Sequence, residues 1–120
     1  MRIGIMSGHG RQDEGIEALI AKARDLEARG FDTLWIANIF AIDAITTAAL
    51  IGRETSRIEI GTAVVPTYPR HPTALAQQAL TTQAACEGRF TLGIGLSHQI
   101  VIEGLLGLSY DRRAKHMREY

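Results

Sequence analysis

The chain has 120 residues, 46% of them hydrophobic, with 13 basic and 13 acidic side chains. That is the composition of one ordinary globular domain, and the even charge balance gives no hint of a nucleic-acid or membrane partner. No apolar run of about 18 residues is present to span a bilayer, and the amino terminus lacks the basic, apolar and small-residue succession of a leader, so the expected compartment is the cytoplasm.

The first strand is expected at Arg2 to Met6, followed by a polar, glycine-bearing loop that carries His9. From Ile16 the apolar positions Ile16, Leu19, Ile20, Ala23 and Leu26 recur at the spacing of one helix face, and Gly30 is placed to end that helix. Thr33 to Ala37 reads as a second strand, apolar enough to be buried on both sides as parallel strands are. Asp43 is the expected cap of a second helix.

Arg57 to Val65 alternates and then turns wholly apolar, which predicts strand three. Pro66, Pro69 and Pro72 punctuate the next loop, and Pro72 suits a first helical turn because its missing N–H would have no partner there. The third helix follows, Gly88 ends it, and Phe90 to Gly95 is strand four. A further helix is expected to begin near Arg112. Cys86, the only cysteine, lies among alanines and threonines on the third helix and reads as a buried, inert thiol.

The order is β-α-β-α-β-α-β, with strands recurring every roughly 25 to 33 residues, the length of a βαβ unit. Such alternation predicts parallel strands wound in one right-handed sense, in a single domain over residues 1–120. Gly93-Ile94-Gly95 invites comparison with a dinucleotide fingerprint. That motif needs a third glycine opening a helix, and His98 stands in its place. The glycines fit better as a close approach of strand four to its neighbours or to a ligand.

Three stretches together carry a likeness: FDTLWIANIF (Phe31 to Phe40), the run from Thr55 to His98 that contains GTAVVPTYPRHP and RFTLGIGLSH, and VIEGLLGLSYDRRAKHMREY (Val101 to Tyr120). They resemble the bacterial-luciferase-like monooxygenases, above all the branch of oxidoreductases that use coenzyme F420. The resemblance implies an α/β fold, the amino-terminal half of a (β/α)8 TIM barrel covering strands one to four and the start of helix four. It also implies a flavin or deazaflavin at the carboxyl ends of the strands and hydride transfer between F420 and an organic substrate, with FMN as the alternative cofactor.

Residue by residue, the resemblance implies a bulge with a non-proline cis peptide at Ala63 and Val64, pressing on the ring; a plain apolar strand end is the competing reading. It implies backbone contacts from Leu96, Ser97 and His98 to the ring's pyrimidine edge. His98 is also the one candidate for proton transfer, because imidazole titrates near neutrality; a ring-edge contact is the alternative. Relatives place an acidic residue and a histidine after strand two, where this chain has Asn38 and Ile39. That departure removes an acid–base pair, and leaves Asn38 as either a ring contact or a turn residue.

His9 and His71 read as loop or capping residues, and His116, in the charged carboxyl-terminal run, as facing water. Arg70, beside Tyr68, could meet an anion, although an exposed charge is the commoner case. No histidine pair has a third ligand at metal spacing, so no metal is expected. A closed barrel takes eight strands and roughly 200 to 250 residues, so a half-barrel would expose two sheet edges. It is therefore expected to be a piece of a longer protein or to self-associate as a homo-oligomer, with little turnover on its own.

Overall fold

In the computed structural model, which describes residues 1–7, 15–40 and 42–120, the chain alternates short strands with helices. The elements are β1 (Gly4–Ser7), α1 (Ile16–Ala28), β2 (Thr33–Ile36), α2 (Ala44–Glu54), β3 (Glu59–Thr62), β4 (Val65–Pro66), α3 (Pro72–Ala85), β5 (Phe90–Thr91), β6 (Ile94–Gly95), a π-helical turn (Ile100–Leu105) and α4 (Arg113–Glu119). All pairings are parallel, in the orders β1-β2-β3-β5 and β4-β6. β1, β2 and β3 lie side by side in chain order, as the βαβ spacing predicts, while β5 pairs with β3 and β6 with β4.

Helix boundaries follow local chemistry. Asp43 caps α2, its carboxylate accepting from the Thr46 N–H at 2.8 Å. Pro72 opens α3, and the ring of His71 accepts from the Thr73 N–H at 3.2 Å, so His71 is a capping residue. Gly30 follows α1 with φ of 87°, the left-handed conformation that glycine adopts without a Cβ clash.

The core lies between one face of the sheet and the helices. Leu34 and Ile36 of β2 and Ile58 and Ile60 around β3 pack with Leu19, Ala23 and Leu26 of α1, Ile45, Ala48 and Ile51 of α2, and Leu75 of α3. The alternate residues of the strands point the other way. Met6, Trp35 and Gly61 sit side by side on that second face, which no helix among the described residues covers, and Met6 is 61% exposed.

Helices α2 and α3 approach closely where Gly52 meets Cys86. A Cβ on Gly52 would lie 2.2 Å from the Cys86 Sγ. Cys86 is fully buried, its thiol donates to the Ala48 carbonyl at 3.4 Å, and burial raises its pKa, so the thiol is the inert group expected. No helix among the described residues is long and apolar enough to cross a membrane.

Strands three and four differ from expectation in one respect: each is broken in two. In the lower ladder Ile60 stands opposite Phe90 and Gly61 opposite Thr91, whereas in the upper one Val65 stands opposite Ile94 and Pro66 opposite Gly95. Between the ladders the third strand therefore spends one residue more than the fourth, which is a β-bulge. The bulge falls at Ala63 and Val64, and the peptide bond between them is cis.

The glycines of strand four make room for it. A Cβ on Gly93 would lie 2.0 Å from the Thr62 carbonyl oxygen, and one on Gly95 would lie 2.5 Å from Val64 Cγ2. The Thr62 hydroxyl bridges the gap in the ladder, donating to the Gly93 carbonyl and accepting from the Gly93 N–H, each at 2.9 Å. Gly93 and Gly95 are thus close-approach residues, not a phosphate cradle.

Candidate functional site

The carboxyl ends of the strands surround a cavity of about 420 Å³, in the size range of small-molecule sites. Its lining comes from the end of β1 (Met6), the segment after β2 (Ala37 to Phe40), the bulge (Ala63, Val64), the end of β4 and the loop after it (Pro66, Pro69, Arg70), Ser97 and His98, and the π-helical turn with the residue after it (Val101, Ile102, Leu106). Five of the six residues expected to bind cofactor, Asn38, Ala63, Val64, Ser97 and His98, meet here. Leu96 does not line the cavity.

Parallel strands bring these residues together although they lie far apart in the chain, because every strand ends at the same edge of the sheet. Phe40, which is 70% exposed, was not among the expected site residues. Its position two residues after Asn38, at the end of a strand, is the signal that could have found it.

Asn38 spends half of its amide on the scaffold: Oδ1 accepts the Ala44 N–H at 3.0 Å, capping α2 beside Asp43. Its NH2 end remains as a donor at the cavity wall. Ser97 has φ of 63°, and its carbonyl accepts from the Tyr110 hydroxyl at 2.9 Å. His98 is exposed, and its carbonyl starts the π-helical turn by accepting from the N–H groups of Val101 and Ile102. The His98 imidazole has no hydrogen-bond partner among the described residues, so nothing orients it as a general base.

Arg70 differs from the expectation of an exposed charge. Its Nη2 donates to Asp43 Oδ1 at 2.6 Å, and the two side chains are 20% and 31% exposed. Burial alone would push the Asp43 carboxyl up, but the Thr46 N–H and hydroxyl and the Arg70 guanidinium together hold its pKa below the ordinary aspartate value.

A carboxyl whose folded pKa is depressed adds stability that is present above its unfolded pKa and lost as pH falls through the folded one. Thermal unfolding followed from pH 7 to 3 is expected to show a loss of stability beginning at about pH 4. Asp43→Asn is expected to flatten part of that fall. Glu27 leaves a remainder: burial raises its pKa, but the N–H groups of Ile58, Arg57 and Ser56 outweigh that and lower it. Identical acid profiles for wild type and Asp43→Asn would refute the assignment.

His116 corrects a second expectation, since it does not simply face water. Its Nε2 lies 3.0 Å from the Thr67 hydroxyl, and its ring stacks on Tyr68 with centroids 4.1 Å apart. The helical spacing of α4 places Tyr120 four residues on, where its hydroxyl donates to the Arg70 carbonyl at 2.9 Å. These contacts dock α4 against the loop after β4. His9 lies outside the described residues. Among the described residues, no three His, Cys, Asp or Glu side chains come together as a metal site requires.

The chain has relatives among known proteins. At 38% identity over all of this chain, it is similar to a Mycobacterium tuberculosis protein whose name places it, provisionally, among coenzyme F420-dependent oxidoreductases, and it covers 34% of that protein. At 27% identity over 88% of this chain, it is similar to the F420-dependent glucose-6-phosphate dehydrogenase of Amycolatopsis mediterranei, covering 35% of it. The chain thus spans about a third of the length of these relatives.

In shape it matches the oxygenating constituent of 3,6-diketocamphane monooxygenase from Pseudomonas putida, a structure in complex with FMN. The TM-score is 0.85 at 19% identity, over 99% of this chain and 37% of that one. It also matches the coenzyme F420-dependent tetrahydromethanopterin reductase of Methanopyrus kandleri, with a TM-score of 0.70 at 24% identity, over 90% of this chain and 30% of that one. The architecture is therefore a partial TIM barrel. The family model of the luciferase-like monooxygenases matches residues 1–120, and the chain belongs to that family.

Proposed function

We propose that the cavity at the strand ends is the ring-binding part of an F420-dependent oxidoreductase, with FMN as the alternative cofactor. The whole protein would move a hydride between the deazaflavin and an organic substrate. The observation that carries this reading is convergence: the bulge at Ala63 and Val64, the Ser97–His98 segment and Asn38 come from three different strands and border one largely apolar cavity.

The residues fit a flat ring with one polar edge. Ala63, Val64, Phe40 and Ile102 supply apolar wall, and the Asn38 NH2 and the backbone of Ser97 and His98 supply the polar groups. When bound, the ring would supply the hydride chemistry, and the protein's part is to orient it and keep water away. Arg70 is already committed to Asp43, so the groups that would hold a cofactor's phosphate are sought outside this cavity.

The test is titration of the purified protein with oxidised F420 and, separately, with FMN, following ring absorbance. Saturable binding of F420 with a perturbed ring spectrum is expected, without sustained turnover by these 120 residues alone. Binding of FMN only would reassign the cofactor, and binding of neither would refute the reading.

A second reading is self-association as an interaction protein. The sheet face around Met6 and Trp35 favours it, and β1 and β5, at the two ends of the four-stranded sheet, each have an edge that is unpaired among the described residues. It predicts a dimer or larger species in sedimentation at micromolar concentration, and a monomer would exclude it.

A further inference from the structure

Tyr110 lies outside the residues that line the cavity, yet it is hydrogen-bonded to one of them. Its hydroxyl donates to the Ser97 carbonyl at 2.9 Å, across 13 residues of chain. Ser97 itself sits at φ of 63°, a left-handed conformation that residues with a Cβ seldom adopt unless their surroundings hold them there.

The segment between the two is tied as well. Gln99 Nε2 donates to Glu103 Oε2 at 2.8 Å, and the other carboxylate oxygen of Glu103 accepts the Tyr110 N–H at 3.3 Å. The Tyr110 ring packs against Tyr68, with centroids 5.4 Å apart, and the Arg113 guanidinium lies 5.8 Å from its centroid. Tyr110 is therefore held by its ring, its backbone and its hydroxyl at once.

The Ser97–His98 peptide is trans, so its C=O and N–H point in opposite directions. With the carbonyl engaged by Tyr110, the His98 N–H is turned to the other side, and it has no hydrogen-bond partner among the described residues. Ser97 and His98 both border the cavity.

We propose that Tyr110 is a positioning residue for ring recognition: by holding the Ser97 carbonyl, it aims the His98 N–H into the cavity as a donor to the pyrimidine edge of a flavin or deazaflavin ring. This rests on the ring-site reading and adds the residue that sets its polar end. The pyrimidine edge becomes more negative on reduction, and a hydrogen bond to a charged acceptor is stronger than one to a neutral acceptor. The donor therefore favours the reduced ring over the oxidised one.

The experiment measures dissociation constants of the oxidised and the anaerobically reduced rings, F420 and FMN, for wild type, Tyr110→Phe and Tyr120→Phe. Phenylalanine keeps the ring packing and deletes only the hydroxyl. Tyr120→Phe is the control, because it deletes another 2.9 Å hydroxyl-to-carbonyl bond, to Arg70, without touching Ser97. Tyr110→Phe is expected to weaken the reduced ring about tenfold and the oxidised ring about threefold or less. Tyr120→Phe is expected to leave the ratio of the two constants unchanged.

Equal weakening of both ring forms by Tyr110→Phe, or no weakening, overturns the positioning role and leaves the ring site standing. Binding of neither ring by wild type overturns the ring site and the proposal with it. A further measurement needs no variant: hydrogen exchange of the His98 amide in wild type is expected to slow at least about tenfold when the ring binds. Unchanged exchange at His98 in the saturated protein also overturns the proposal.

Discussion

Arg89→Ala is expected to cost about 3–5 kcal/mol of stability and to lower the melting temperature by about 10–20 °C. Arg89 stands just before β5, where its guanidinium reaches across to the end of α2. Nη2 donates to the carbonyls of Gly52 and Thr55 at 2.8 and 2.9 Å, and Nη1 to the Ile58 carbonyl at 2.9 Å and the Thr55 hydroxyl at 3.2 Å. The Gly52 and Thr55 carbonyls belong to the last turn of a helix, which leaves such groups without intrahelical partners. A cation there also meets the negative end of the helix dipole.

Hydrogen bonds from a charged donor contribute about 1.5–3 kcal/mol each, but four bonds from one side chain do not add in full. The buried Nε finds no acceptor among the described residues, so the benefit rests on the two Nη groups. Arg89→Lys keeps the charge and loses the planar fork, and is expected to recover less than half of the loss. A melting temperature for Arg89→Ala within about 3 °C of wild type would show that the four bonds contribute little.

Gly93→Ala is the substitution with the largest expected effect on the site itself. The new Cβ would lie 2.0 Å from the Thr62 carbonyl oxygen, which is backbone and has no side-chain freedom to yield. The two strands must separate, and the Thr62 hydroxyl bonds to Gly93 and the Val65 N–H bond to the Gly93 carbonyl go with them. Overpacking and lost bonds together are expected to cost about 2–4 kcal/mol.

The same movement displaces Val64 from the cavity wall, so ring affinity is expected to fall tenfold or more, on the order of the effect of a small misplacement of binding groups. Gly52→Ala supplies the comparison. It clashes with Cys86 at 2.2 Å between α2 and α3, away from the cavity, and should lower stability while leaving ring affinity unchanged where the protein is folded. Unfolding curves and ring titrations on the two variants separate the cases. Wild-type affinity in folded Gly93→Ala would show that the site does not depend on this strand contact.

The sequence was legible where a local rule decides. Asp43, Pro72, Gly30 and Gly88 mark helix ends through capping, a missing N–H and positive φ, and each acts there as expected. The π-helical turn was not legible: Gln99 to Leu105 has neither a cap nor a helical repeat, and the turn is held by the His98 carbonyl and by Glu103 bonded to Gln99 and Tyr110. His116 was misread for a related reason. A charged run on a short helix looks solvated until Tyr68 and Thr67, about 50 residues earlier, are found against it.

What the sequence by itself determined is the alternation of strand and helix, hence parallel pairing and a site at one edge of the sheet, because hydrophobic period and βαβ length act within some 30 residues. The resemblance carried by its motifs then placed Ala63, Val64, Ser97 and His98 at that edge. Only the tertiary structure decided how the edge is built. The one-residue slip between strands three and four, the hold of Thr62 on Gly93, the pairing of Arg70 with Asp43 and the reach of Tyr110 to Ser97 are contacts between distant segments. Their energies depend on distances of a few ångströms that no local pattern encodes.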